Sequence, residues 1–201
     1  SALILSTISE ASRERVEANK ALDIMKNVLL CRYLEDYETY KQRLSDPEEI
    51  KNIYAEIIKP LLYDIDKDVI LDERDLENQN LKFSDLVWKE DKSNGSLYYF
   101  FKSTPEKRYL PLFEVVDDSK GYILSVSGKG LWSTMKGFIY ISESLDHIRG
   151  ISFYAHKETP GLGGEIDKIE IKKRYMGKAV DLTGEDIKVA QMVKTPTDSE
   201  Y

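Results

Sequence analysis

The sequence predicts an α+β protein: a mainly antiparallel sheet with flanking helices and an N-terminal helical extension. Three observations carry this expectation. Between residues 9 and 37, Val16, Ala21, Leu22, Met25, Val28 and Leu29 recur at near-helical spacing among Arg, Glu and Lys. From Leu86 onward, short apolar and aromatic runs alternate with turn residues. The turn signals Asn94-Gly95 and Ser144-Leu145-Asp146 sit between such runs, as hairpins require.

The chain has 201 residues, enough for one good core with an appendage, and its 41% hydrophobic content is ordinary for a soluble globular protein. A net charge of −7 without a basic cluster argues against nucleic acid and against adhesion to an anionic membrane surface. The single cysteine, Cys31, excludes an internal disulfide and a cysteine-based zinc cluster. No segment is long enough to span a bilayer. The apolar opening Ala2-Leu3-Ile4-Leu5 reads either as the trailing end of an apolar helix or as a frayed N-terminus.

A second helix follows the first. Ser45 and Glu48 have capping-box spacing, Pro47 suits a first turn, Ile50, Ile53, Tyr54 and Ile57 form one face, and Pro60 is expected to end it. The acidic run Asp64, Asp66, Asp68, Asp72 and Asp75 invites a calcium-loop reading. Val69 stands where such a loop needs Gly to turn, so a solvated acidic surface is the better account. Leu86-Val87-Trp88-Lys89 and Leu97-Tyr98-Tyr99-Phe100-Phe101 read as paired strands whose aromatic residues pack in a sheet. Leu110 to Val116, Gly121 to Val126, Lys136 to Ile141 and Ile148 to Ala155 are further strands. In the last of these Ile151, Phe153 and Ala155 share one face, and Ser152 and Tyr154 the other. Residues 165 to 176 read as a short helix ended by Gly177-Lys178, and Ile187, Val189, Gln191 and Val193 alternate as a last strand.

Two glycine-rich stretches stand out. In Glu158-Thr159-Pro160-Gly161-Leu162-Gly163-Gly164, Pro160 pushes Thr159 into an extended conformation, and the glycines allow bare backbone to approach a partner. Consecutive exposed N–H groups of this kind cradle anions and ring carbonyls, Glu158 can accept from an imide or a sugar hydroxyl, and Thr159 adds a hydroxyl. A tight strand-to-helix turn explains the same residues. Gly128-Lys129-Gly130 lacks the length and the Gly-Lys-Ser/Thr ending of a P-loop; its glycines fit backbone passing beside a ring, with Leu131 and Trp132 as an apolar wall or as ordinary core. The two histidines, His147 and His156, form no His-Glu-x-x-His pair, and there is no Gly-x-Ser-x-Gly elbow. No catalytic side chain and no metal site are expected.

Gly128-Lys129-Gly130-Leu131-Trp132-Ser133-Thr134-Met135, then Gly150-Ile151-Ser152-Phe153-Tyr154, then the 158–166 stretch resemble, in order and spacing, one family. It is the FMN-binding domain family of the C subunit of the Na+-translocating NADH:quinone reductase and of the G subunit of Rnf complexes, with the former the nearer match, over roughly residues 115 to 194. The resemblance implies FMN as cofactor. Gly130, Leu131 and Trp132 would line one side, Glu158, Thr159, Gly161, Leu162 and Gly163 would hold the ring or ribityl chain, and Lys178 would be a weaker phosphate contact with a surface lysine as the alternative. The family bonds its flavin phosphate to a Thr in a Ser-Gly-Ala-Thr type motif, which is not present in this chain; Thr195 and Thr197 lack that context.

The resemblance further implies an electron-transfer subunit of a membrane redox complex, partnered by the other subunits. It would be anchored in the inner membrane by an N-terminal helix absent here, with its domain on the periplasmic or extracytoplasmic side. Residues 1–60 would be the helical segment following the anchor and 61–201 the FMN-binding-type domain. The alternative is a noncatalytic scaffold that keeps the fold without flavin.

Overall fold

The computed structural model describes residues 2–90, 97–129, 133–155, 163–181 and 188–189. It opens with α1 (Ala2–Arg32), α2 (Tyr37–Tyr40) and α3 (Pro47–Ile57), then β1 (Ile58–Asp64), β2 (Val69–Leu71) and α4 (Glu73–Asn78). The remainder is β3 (Leu86–Glu90), β4 (Leu97–Phe101), β5 (Thr104–Val115), β6 (Gly121–Lys129), β7 (Thr134–Ser142), β8 (Ile148–Ala155), α5 (Ile169–Lys173), β9 (Val180–Asp181) and β10 (Lys188–Val189). The main sheet has eight strands, running β2-β1-β5-β6-β7-β8, with β3 and β4 joining it through β5. All its pairings are antiparallel. The expected α+β class is the one observed.

One face of the sheet carries the main core. Val28, Leu29 and Cys31 of α1 and Ile50, Ile53 and Ile57 of α3 pack on Ile58, Phe113, Val115, Ile123, Phe138 and Tyr140. Burying each such aliphatic side chain contributes about 2 kcal/mol, so α3, with three of them, is held by its packed face. The helical segment and the sheet therefore share one core. Val16, by contrast, is exposed. The opposite face buries Ile139, Ile141 and Ile148 under Val180 and Tyr175.

Several boundaries differ from the sequence expectation for local reasons. The cap of α3 is Asp46, whose carboxylate accepts from the N–H groups of Glu48 and Glu49, while Ser45 donates backwards to the Lys41 carbonyl. A carboxylate one residue nearer the helix wins because it reaches two orphan amides and faces the positive end of the dipole. Pro60 does not end α3; the helix passes into β1 at Ile58, and Pro60 pairs with Phe113 beyond the reach of β2, which covers only Leu62 to Asp64. An edge position is where a strand tolerates a residue without an N–H.

The acidic run is structural. Asp64 accepts from the amides of Asp66 and Lys67 in the β1–β2 turn, Asp68 adopts a positive φ of 55°, and Asp72 with Asp75 forms a capping box on α4. Among the described residues no group of three His, Cys, Asp or Glu could hold a metal ion.

The predicted helix over 165–176 is broken. Gly163–Asp167 is a 3-10 turn, Lys168 is extended, and α5 follows, ending at Lys173 with Arg174 as its cap, ahead of a turn that reaches Gly177 at φ 75°. Of the predicted last strand only Lys188–Val189 is described, paired with β9. No helix among the described residues is long and apolar enough to cross a membrane.

Candidate functional site

Residues Gly130, Leu131, Trp132, Glu158, Thr159, Gly161 and Leu162 lie outside the described residues; their flanks do not. β6 ends at Lys129 and pairs through the rungs Gly128↔Met135 and Ser127↔Lys136, and Lys136 pairs in turn with Ala155, the last residue of β8. The chain therefore enters and leaves 130–132, and enters 156–162, at one end of one sheet. Gly163, where the second segment returns, begins the 3-10 turn that packs against β8. Antiparallel pairing is what makes this possible, since it returns alternate connections to the same end.

Lys178 is placed elsewhere. Its carbonyl accepts from the Ile148 N–H at the start of β8, so it stands roughly 23 Å along the strand from Ala155, and it is exposed. Lys178 thus stands apart from the described flank at Ala155.

The surface at the Ala155 end suits a flat ligand better than a packed core would. The first three residues of β7 are half-buried, whereas its last six are buried. Among the described residues, a Cβ placed on Gly128 would meet no atom within 4 Å. On the helix-bearing face, aromatic rings run from α3 towards the same end: Tyr54 to Phe113 at 6.5 Å, Phe113 to Phe138 at 5.6 Å and Phe138 to Tyr154 at 5.0 Å. Edge and tilted contacts of this kind hold a sheet face rigid under whatever it supports.

One group near this end, and one buried lysine elsewhere, went unmarked by motif or spacing. The Tyr99 and Ser125 hydroxyls lie 3.2 Å apart, and the Leu97 N–H donates to Ser127 Oγ at 3.0 Å. Tyr154 joins them; burial pushes its hydroxyl well above the usual tyrosine range, and the neighbouring Tyr99 adds to the shift. The visible sign is a pair of serines two apart inside an otherwise apolar strand. Lys172 on α5 is buried, 4% exposed, and burial holds its ammonium below the usual lysine value, with Asp167 opposing the shift. Nothing in Ile169-Glu170-Ile171-Lys172-Lys173 marks which lysine turns inward.

Comparison with known proteins adds identity to this geometry. Residues 130–198 match the FMN-binding domain family, so the matched stretch begins at the segment between β6 and β7 and takes in the one after β8. The C subunit of the Na+-translocating NADH-quinone reductase of Vibrio parahaemolyticus is 26% identical across 88% of the chain and 66% of its own length. Residues 130–198 are thus similar to an FMN-binding domain, within a chain that is similar over most of its length to that C subunit. The same protein of Pseudomonas aeruginosa is 40% identical over 96 residues, covering 47% of this chain and 36% of that one. In fold, the FMN-binding domain and its helices resemble the crystal structure of Shewanella oneidensis NqrC, at a TM-score of 0.50 and 23% identity over 77% of this chain and 70% of that one. The chain thus spans just under two thirds of the Vibrio relative that it matches over most of its own length.

Proposed function

We propose that this chain is the extracytoplasmic FMN-carrying electron-transfer domain of the C subunit of a Na+-translocating NADH:quinone oxidoreductase, one part of the enzyme and not a complete enzyme alone. The observation that carries the reading is the common rung Ser127–Lys136–Ala155, from which both glycine-rich segments emerge inside the matched stretch. The clearance at Gly128 among the described residues and the half-buried start of β7 are consistent with a flavin there.

In this reading Gly130, Leu131 and Trp132 form one wall. Glu158 and Thr159 accept from and donate to the ring imide or ribityl hydroxyls, and the peptide groups of Gly161, Leu162 and Gly163 lie against the flavin. Bound FMN would supply one- and two-electron redox chemistry, and the protein position, hydrogen bonding and exclusion of water. Lys178 remains the weaker phosphate candidate, with a surface lysine as the alternative. Residues 1–60, helical as far as Ile57, are the segment following a membrane anchor, and 61–201 are the FMN-binding-type domain, which faces the periplasmic or extracytoplasmic side with the other subunits as partners.

This stretch of chain holds FMN without a covalent bond. Purified protein should show flavin absorbance, and acid precipitation should release all of it to the supernatant. Flavin retained in the pellet would overturn the noncovalent assignment. Protein that takes up no FMN on titration would overturn the site itself and leave the scaffold reading.

A further inference from the structure

The negative charge of the chain is concentrated. Residues 64–85 hold eight carboxylates against three cations, and so account for five of the net −7. Most of these acids are used inside the fold: backbone amides bond Asp64 and Asp66, the Tyr63 hydroxyl bonds Asp68, and Asp72 with Asp75 caps α4. Glu73 and Glu77 are not. They are exposed, one turn apart on α4, and among the described residues neither carboxylate has a hydrogen bond or an ion pair, with Arg74 or with any other cation. Like charges at this spacing repel, and Glu77 stands in the last turn, where the helix end disfavours an anion.

Both glutamates line a cleft. At the end of α4 the Leu81 N–H donates to the Leu76 carbonyl at 2.8 Å and Asn80 adopts a φ of 55°, which turns the following residues back beside the helix. The cleft left there has a volume of about 520 Å³. Leu76 and Leu81 on its lining belong to the small core beneath α4, Phe83 packs against that core, and Lys82 joins them. β2, the strand before α4 and the outermost at this edge of the sheet, keeps Val69 and Ile70 exposed at 42% and 55%.

We propose that this cleft docks a basic segment of a partner polypeptide, one arginine of which lies along Leu76, Leu81 and Phe83 with its guanidinium between Glu73 and Glu77. Arginine suits the lining because its stem packs on apolar surface, its planar head stacks on a ring, and its fork of donors bonds carboxylates in pairs. The cation relieves a repulsion that the free chain bears, and charge complementarity of this kind also steers encounter. A second copy is a poor occupant, since a chain of net −7 without a basic cluster has no complementary surface to offer. Docking here is independent of the flavin.

The test uses the full-length protein. A capped peptide, acetyl-Leu-Arg-Leu-amide, is titrated in while the NMR methyl signals of Leu76 and Leu81 are followed, with citrulline in place of arginine as the uncharged control. Saturable shifts are expected with the arginine peptide and not with the citrulline one. Glu73→Gln and Glu77→Gln should each weaken binding by about threefold, and the two together by about tenfold. The melting temperature of the double variant should hold or rise, because a like-charge pair has been removed; a fall would make the pair part of the fold's own stability and overturn the docking site. In the producing cell, a photo-cross-linking residue in place of Ser84 should join the chain to an arginine-containing peptide of a different polypeptide, identified by mass spectrometry, and Glu73→Gln/Glu77→Gln should abolish the product. Leu76 and Leu81 signals that ignore the arginine peptide, cross-linking to a second copy alone, or no cross-link at all would each overturn it. None of these readouts involves FMN, so a failure of the flavin reading leaves them standing.

Discussion

The three strands β6, β7 and β8 have two ends that obey different rules. At the end marked by Ser142 and Ile148 the structure is locked. Ser142 Oγ accepts from the amides of Asp146 and His147 and donates to the Asp146 carboxylate at 2.7 Å, and Ser144 donates to the same carboxylate. Residues 177–180 close over the strand start through Gly177 N–H to Ile148 and Ile148 N–H to Lys178. Just inside, α1 lies so close that a Cβ on Gly150 would sit 2.0 Å from the Cys31 carbonyl oxygen. At the end marked by Ser127 and Ala155 the residues of β7 are half-buried, a Cβ on Gly128 would meet no atom of the described residues within 4 Å, and β6 has lost β5 as a partner. Among the described residues, the side-chain and turn hydrogen bonds named above gather at the Ser142–Ile148 end, and the half-buried start of β7 lies at the other. A rigid scaffold that positions exposed connections is the usual way such sites are built.

Four substitutions break or sharpen this contrast. Gly150→Ala should be the most damaging, destabilising by about 3 kcal/mol or more, because backbone of α1 and not a flexible side chain stands in the way. Thermal or denaturant melting reads this directly, and a small effect would mean that α1 is not seated as described. Ser142→Ala removes the acceptor of two part-buried amides in an exposed turn and should cost about 1 kcal/mol in the same assay.

Asp146→Asn tests the same turn through pH. Hydrogen bonds from Ser142 and then Ser144 hold the Asp146 carboxyl well below the usual carboxylate range. A depressed folded-state value contributes stability that is present above the unfolded value, about pH 4, and is lost as pH falls further. The variant should therefore lose part of the wild-type decline in melting temperature on acidification; an unchanged slope would remove Asp146 as its source. Gly128→Ala should be nearly neutral for stability, within about 0.5 kcal/mol. It should nevertheless weaken FMN retention by filling the space beside the ring, and equilibrium dialysis that shows undiminished retention would separate Gly128 from the berth.

Much of the fold was legible because its signals are short-range. Pro47 at a helix start, the β3–β4 and β7–β8 pairings and the positive φ at Gly177 all follow from residues a few positions apart. Misplaced details were contests between near neighbours: Asp46 took the cap from Ser45, and Pro60 found an edge position where it could stay in a strand. The glycine motifs were visible as motifs, and Gly150 stands in one of them. What its missing side chain makes room for is an oxygen on Cys31, far away in the chain.

By itself the sequence determined the kinds of element, the hairpins between them, that no His-Glu-x-x-His or Gly-x-Ser-x-Gly motif occurs, and the resemblance that the family match bears out. Periodicity and turn chemistry act within a few residues, so a single chain read in order suffices to show them. Tertiary structure alone decided at which end of the sheet those turn bonds gather, that Lys172 turns inward, and that Ser152 meets the Asn27 carbonyl across 125 residues of chain. Those outcomes depend on register and on which segments lie side by side, and a one-residue slip in either would send every side chain concerned to the other face.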